Sequence, residues 1–354
     1  MCGQSSARCD TLGPVSAARA VLAGASGFLG PRLAEDLARR GYEVVRVGRR
    51  GPDVSWGDEA GLRAVVDGAD LLVNLAGKSV GCRYGDANRE EIYRSRVETT
   101  AALHAAVASA DRPPRLWLNA STATIYRHAV DRPQTEDDGE LGEGFSVDVA
   151  RGWERVFFAG DLPGTRRVAL RMAIVLGDGP ALNKLCTAAR SGLGGPQQDG
   201  WWFPHRRYRG IGPDPTGPDV WHRHDTRRGE QKFSWIHLDD LVRAVAFLDE
   251  RDELVGPINL AAPGTSTNRA LMASLRSAVS MPVGVPVPRW LLEPGMVVLR
   301  QESELVLKSR WVLPARLVEA GFTFRWPDLD PAVADLTGRA RRDRPPAPRG
   351  LGGA

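Results

Sequence analysis

The sequence predicts an α/β protein: a Rossmann-type, doubly wound parallel sheet with a smaller C-terminal α/β substrate lobe. Strand-like and helix-like segments alternate from residue 19 onward. The segment DLLVNLA at 70–76 is a near-continuous apolar run, as expected of a strand buried on both faces. A glycine-rich turn follows the first strand and opens the first helix.

The elements follow in order. Residues 19–23 form an apolar strand, and 28–40 carry Leu29, Leu33 and Leu37 at helical spacing before Gly41 stops them. A strand at 43–47, a short helix at 59–66 and the strand at 70–76 come next. Then come a long helix at 89–109, a strand at 115–120, a helix at 147–158 and a strand at 167–176. Residues 197–232 have few periodic apolar positions and read as an insertion, either a lid or specificity loop over the pocket, which is preferred, or a structural surface flap. FSWIHLDDLVRAVAFL starts as a strand and continues as a helix, and a mixed α/β region runs to residue 336. The expected organisation is a tail at 1–17, a nucleotide-binding domain at 18–177, a substrate lobe at 178–337 and a basic tail at 338–354.

Charge narrows the choice of partners. The 354 residues carry a formal +4. Residues 338–354 hold five Arg and one Asp, so the whole excess lies in a Pro/Gly/Arg tail on a neutral body. No nucleic-acid partner is expected. No apolar run reaches the ~18 residues of a membrane span, and the N-terminus lacks a secretory apolar core, so the reading is a cytoplasmic protein without a membrane partner. Cys2, Cys9, Cys82 and Cys186 show no CxxC spacing. His205, His222 and His224 in the insertion fix no ligand geometry, and no metal is expected.

The glycine turn is the strongest chemical signal. Gly24 permits a tight turn, Gly27 lets a pyrophosphate approach the backbone, and Gly30 allows close packing at the helix start. With Ser26, Phe28 and Leu29 they form the expected phosphate cradle, to which the helix N-terminus adds free N–H groups. After the second strand stand Arg49 and Arg50, where an NAD site usually places an acidic residue. Two cations suit a 2′-phosphate, which favours NADP over NAD. Asp58 is a candidate acceptor for the adenine amino group, or equally a helix N-cap. Leu75, Ala76 and Gly77 of NLAG close the cofactor cleft. His237 is a candidate substrate contact, with helix capping the preferred reading.

GASGFLG, NLAG and the serine–tyrosine segment after RLWLN resemble the extended short-chain dehydrogenase/reductase superfamily. YRSRVETT, ASTATIY, RGWE, LRMAIVLG, GLGG, FSWIHLDD and NLAAP are similar to its atypical branch, the nucleoside-diphosphate-sugar epimerase-like "epimerase family" oxidoreductases. WVLPARLVEAGFTFRWPDLDPAV resembles that branch's small C-terminal domain of unknown function.

The resemblance implies a Ser or Thr and a Tyr at the reacting oxygen, with a Lys four residues after the Tyr. A free phenol titrates near ~10 and exchanges protons at neutral pH only when a cation stabilises its anion. The chain has four Lys: Lys78, Lys184, Lys232 and Lys308. Four residues before them stand Asn74, Pro180, Arg228 and Glu304, so Tyr-x-x-x-Lys is absent, and GFSVDVARGWE occupies its expected place. The remaining candidates are Ser121, as donor to a substrate oxygen, and Tyr126, as proton donor or substrate orienter. Arg127, Arg96 or Arg171 would supply the missing positive charge. The implied function is an NADP-dependent oxidoreductase or epimerase-like enzyme acting on a small carbonyl or hydroxyl compound. The lost motif leaves open an NADP(H)-binding regulator without turnover. The expected partner is a small-molecule substrate, with a homodimer left open.

Overall fold

The computed structural model describes residues 17–49, 53–221, 224 and 226–338. Its first half runs β1 (Arg19–Ala23), α1 (Gly30–Arg39), β2 (Glu43–Gly48), β3 (Val54–Ser55), α2 (Glu59–Val66) and β4 (Leu71–Asn74). It continues with α3 (Asp86–Ala108), β5 (Leu116–Thr122), α4 (Phe145–Phe157) and β6 (Arg166–Met172). The second half begins with β7 (Ile174–Leu176), α5 (Pro180–Ala188), β8 (Gln197–Gln198) and β9 (Lys232–Phe233). Then come β10 (Trp235–His237), α6 (Leu238–Asp249), β11 (Gly256–Leu260), β12 (Ser266–Thr267), α7 (Asn268–Ala278) and β13 (Val287–Pro288). The chain closes with α8 (Arg289–Val298), α9 (Glu304–Leu307), α10 (Ala315–Glu319) and α11 (Leu329–Leu336).

Seven strands form a sheet in the order β11-β6-β5-β4-β1-β2-β3, and every pairing in it is parallel. Alternate residues of each strand face opposite ways, so both faces must be covered. Ala20, Leu22, Leu71, Val73, Leu116, Leu118, Val168 and Leu170 pack under α1 and α6, against Leu33, Leu37, Leu241 and Val245. Val21, Ala23, Leu72, Trp117 and Ala169 pack under α2, α3 and the end of α4, against Leu62, Val66, Leu103, Val107 and Phe157. β1 pairs with both β2 and β4, so the winding reverses at β1. Loops leaving the carboxyl ends of β1 and β4 diverge there and leave a crevice.

Two expectations need correction. The strand expected at 167–176 breaks at Ala173, whose N–H donates to Leu260. β6 stays in the main sheet while β7 pairs with β10 in a separate one. The insertion at 197–232 does not form a lid among its described residues: none of them lines the cavity described below. It is clasped to α3 and α4 instead. Arg89 donates to the carbonyls of Arg207, Arg209 and Gly210, and Asp148 accepts from the N–H groups of Ile211 and Thr216. The chain also returns to the sheet after residue 177, since β11 pairs with β6 at its edge. No helix among the described residues is long and apolar enough to cross a membrane.

Candidate functional site

The three glycines of the first turn are each required for a different steric reason. Gly24 has φ +78°, and a Cβ there would lie 2.7 Å from the Ala76 nitrogen, so the turn and the strand end at 75–77 touch backbone to backbone. A Cβ on Gly30 would lie 1.9 Å from the Ala25 carbonyl oxygen. At Gly27 a Cβ would meet only the Gly24 oxygen, at 3.5 Å, so the missing side chain there makes room for something outside the chain. α1 begins without a side-chain cap or an acidic residue in its first turn. Among the described residues the Phe28 and Leu29 N–H groups make no hydrogen bond. Such a terminus presents free donors and a positive dipole end.

A cavity of about 490 Å³ opens over this turn. Gly24, Gly27, Phe28, Leu29, Gly30, Leu75, Ala76, Gly77 and Ser121 all line it. Asn74 fixes the strand end at 75–77. Its Oδ1 accepts from the Ala76 N–H at 3.0 Å, and its Nδ2 donates to Asn119 and Thr100 at 2.7 and 3.1 Å. Ser26, Arg49, Asp58 and Tyr126 are not in the wall. Arg49 is exposed just beyond β2, and Arg50 lies outside the described residues. Asp58 caps α2, its Oδ1 accepting from the Gly61 N–H at 2.8 Å, as in the N-cap reading of the sequence. His237 caps α6, its Nδ1 accepting from the Asp239 N–H at 3.0 Å.

Ser121, Arg171 and Asn259 are lateral neighbours on β5, β6 and β11. α4 lies over that face and lowers Glu154 onto it. The Ser121 hydroxyl donates to Glu154 Oε1 at 2.6 Å. Arg171 donates to the same carboxylate through Nε and Nη2, at 2.9 and 2.8 Å. Arg171 Nη1 donates to the Tyr126 hydroxyl at 2.9 Å, and that hydroxyl donates to Asn259 Oδ1 at 2.9 Å. This fixes the polarity of the site. A bidentately paired carboxylate only accepts, so the Ser121 proton points away from the cavity. In this arrangement its oxygen lone pairs face inward.

Tyr126 is 1 % exposed. Burial raises its pKa above the ordinary phenol value, partly offset by the Arg171 charge. Of the three cations considered for this role, Arg171 is the one that reaches the phenol. Arg127 instead pairs with Asp131 and Glu140. On α4 the residues facing the cavity include Phe145, Val149 and Trp153, at i, i+4 and i+8. Where the sequence resemblance would set Tyr and Lys, this wall has neither and is apolar but for Ser146. Glu154 and Arg310 are site residues to which the sequence assigned no role, and Arg96, considered there as a cation for the phenol, lines the cavity instead. Glu154 meets Ser121 across 33 positions, which no local spacing reveals.

A parallel sheet wound from its centre, with a glycine turn and a cavity at the reversal point, defines a Rossmann-type α/β protein of the epimerase/dehydratase kind. The family model "NAD dependent epimerase/dehydratase family" matches residues 20–146, and "Domain of unknown function (DUF1731)" matches residues 287–336. The chain is 31 % identical to the bovine epimerase family protein SDR39U1 over 329 residues, covering 90 % of this chain and 99 % of that one. It therefore belongs to the epimerase family. The crystal structure of human epimerase family protein SDR39U1 with NADPH superposes with a TM-score of 0.74 at 27 % identity, over 90 % of this chain and 99 % of that one. A nucleoside-diphosphate sugar epimerase from Corynebacterium glutamicum gives a TM-score of 0.66 at 26 % identity, over 92 % of this chain and 59 % of that one.

Proposed function

We propose that the chain is an NADP(H)-dependent oxidoreductase that binds a small hydroxyl or carbonyl compound at Ser121. The observation that carries this is the cavity that runs from the open cradle at Gly27 to Ser121. The Phe28 and Leu29 N–H groups at the start of α1 would hold the pyrophosphate. Arg49 and Arg50 would hold the 2′-phosphate, in keeping with the NADPH of the human relative. The bound cofactor supplies hydride exchange at its nicotinamide.

The chain's own groups bind and orient. Ser121, hydrogen-bonded to Glu154, would take the substrate hydroxyl's proton as hydride leaves its carbon and pass its own proton to Glu154, and would return it to the carbonyl oxygen in the reverse direction. Arg171 locks Glu154, and Tyr126 with Asn259 locks Arg171. Tyr126 is thus a positioning residue. Phe145, Val149 and Trp153 exclude water from the same wall.

A second reading, an NADP(H) sensor without turnover, is favoured by that apolar α4 wall and the buried phenol. Turnover separates the two. NADPH consumption would be followed with aldehydes and ketones, and NADP⁺ reduction with alcohols and hydroxy acids. The enzyme reading expects turnover that falls about 100-fold in Ser121→Ala and only a few-fold in Tyr126→Phe. NADPH binding with no turnover on any class supports the sensor instead.

A further inference from the structure

The wall of the cavity contains two guanidinium groups, Arg96 and Arg310, and no acidic side chain. Neither has a carboxylate within ion-pair distance among the described residues, unlike three other arginines that come inside. Arg171 has Glu154, Arg207 has Glu293 and Glu302, and Arg289 has Asp199 and Glu293. A cation kept from bulk water without a counter-charge is costly.

Arg96 projects from α3 beside Gly77 and lies over the Trp153 ring, 5.0 Å from its centroid. Only its Nη1 is engaged, with the carbonyls of Lys78 and Ile92 at 3.0 and 2.9 Å. Nε and Nη2 make no hydrogen bond among the described residues. Arg310 comes from the C-terminal segment, 7 % exposed, and donates to the Thr124 hydroxyl and the Leu305 and Glu304 carbonyls. Burial lowers the pKa of both, Arg96 to about 10, so both are cations at neutral pH. Glu304 acts on Arg310 from behind the wall, where its carboxylate accepts from Ser146 at 2.6 Å.

That bond repeats the arrangement at Ser121. Ser121 and Ser146 are both cavity hydroxyls, and each gives its proton to a carboxylate behind the wall. The cavity therefore offers two hydroxyl oxygens that accept and two guanidiniums that donate with positive charge. A neutral ketone could take a guanidinium N–H, but it has no proton for the two serine oxygens and leaves both positive charges uncompensated.

Building on the cofactor reading above, we infer that the substrate is an anionic hydroxy compound: its hydroxyls donate to Ser121 and Ser146, and its carboxylate or phosphate ester pairs with Arg96 and Arg310. The planar forks of Arg suit either oxyanion. The cofactor's own phosphates are the other source of such an anion, and the experiment separates the two.

The full chain would be titrated calorimetrically, first with NADP⁺ and then, as the NADP⁺ complex, with glycerate, glycerol 3-phosphate and glycerol. Intrinsic tryptophan fluorescence, compared with that of Trp153→Phe, serves as a second readout. The expected result is that at least one anionic probe binds about tenfold or more tighter than glycerol. Arg96→Gln should abolish that preference and leave the NADP⁺ affinity within a few-fold, while Arg96→Lys restores part of it. Arg310→Lys, which keeps the charge, should retain the preference, and melting curves establish that each variant is folded. Equal binding of anionic and neutral probes, or a preference that survives Arg96→Gln, would overturn the inference. So would a loss in Arg96→Gln that falls on NADP⁺ rather than on the probes, since the guanidinium then serves the cofactor. NADP⁺ binding without an anion preference overturns this inference alone. No NADP⁺ binding by the unaltered chain overturns the cofactor reading first.

Discussion

At Ser121 the decisive feature is the direction of one proton. Glu154 takes it, Arg171 keeps Glu154 in place, and both are largely out of solvent, with side chains 12 % and 9 % exposed. Breaking such a pair from one side leaves an uncompensated charge, and replacing both sides removes it. Glu154→Gln is therefore expected to cost on the order of 3 kcal/mol in urea denaturation. Adding Arg171→Met should recover most of that loss. A double variant no more stable than Glu154→Gln would show that the pair does not hold this corner together. The serine and tyrosine were legible as candidates because they follow an apolar strand whose carboxyl end faces the crevice. The acceptor role of the serine was not, because Glu154 is remote in sequence and reaches it only once α4 lies across β5 and β6. Tyr126 was placed just as indirectly: the loop after β5 turns it into the core beside Asn259.

Among the elements, β1 and α1 were legible nearly residue by residue, since glycines, an apolar run and a Pro near the helix start act locally. Their steric roles separate cleanly by substitution. Gly27→Asp places a carboxylate in the cradle with no backbone clash, so the protein should melt within a degree or two of the unaltered chain yet lose NADPH binding. Gly30→Ala meets the Ala25 carbonyl and should lower Tm by several degrees. Equal melting of the two variants would contradict this assignment. Less legible were the split of residues 167–176 into β6 and β7 and the seating of the insertion. Both depend on partners far along the chain: β10 pairs with β7, while Arg89 and Asp148 grip the insertion. Period and propensity carry no information about such contacts.

Over the whole molecule, the C-terminal segment closes the site that the sheet opens. Lys308 lies inside this junction, 5 % exposed, its Nζ donating to the Thr124 carbonyl at 3.0 Å. Burial lowers its pKa to about 8, against the ~10.4 of a free lysine. Between those values the unfolded chain binds the extra proton, so stability rises with pH across that window; below it the full burial cost persists. Lys308→Met should be the more stable protein at pH 7. Its advantage over the unaltered chain should shrink as pH climbs from 8 to 10, as read by urea denaturation at fixed pH. A constant difference would show that Lys308 titrates normally.

The account rests on a cofactor cradle at the sheet's reversal point, and calorimetric titration of the full chain with NADPH and NADH tests it most directly. The predicted result is NADPH binding in the micromolar range or tighter and NADH binding weaker by about tenfold or more. A folded Gly27→Asp variant should then bind neither. Failure of the unaltered chain to bind NADPH, or undiminished binding by Gly27→Asp, would contradict it.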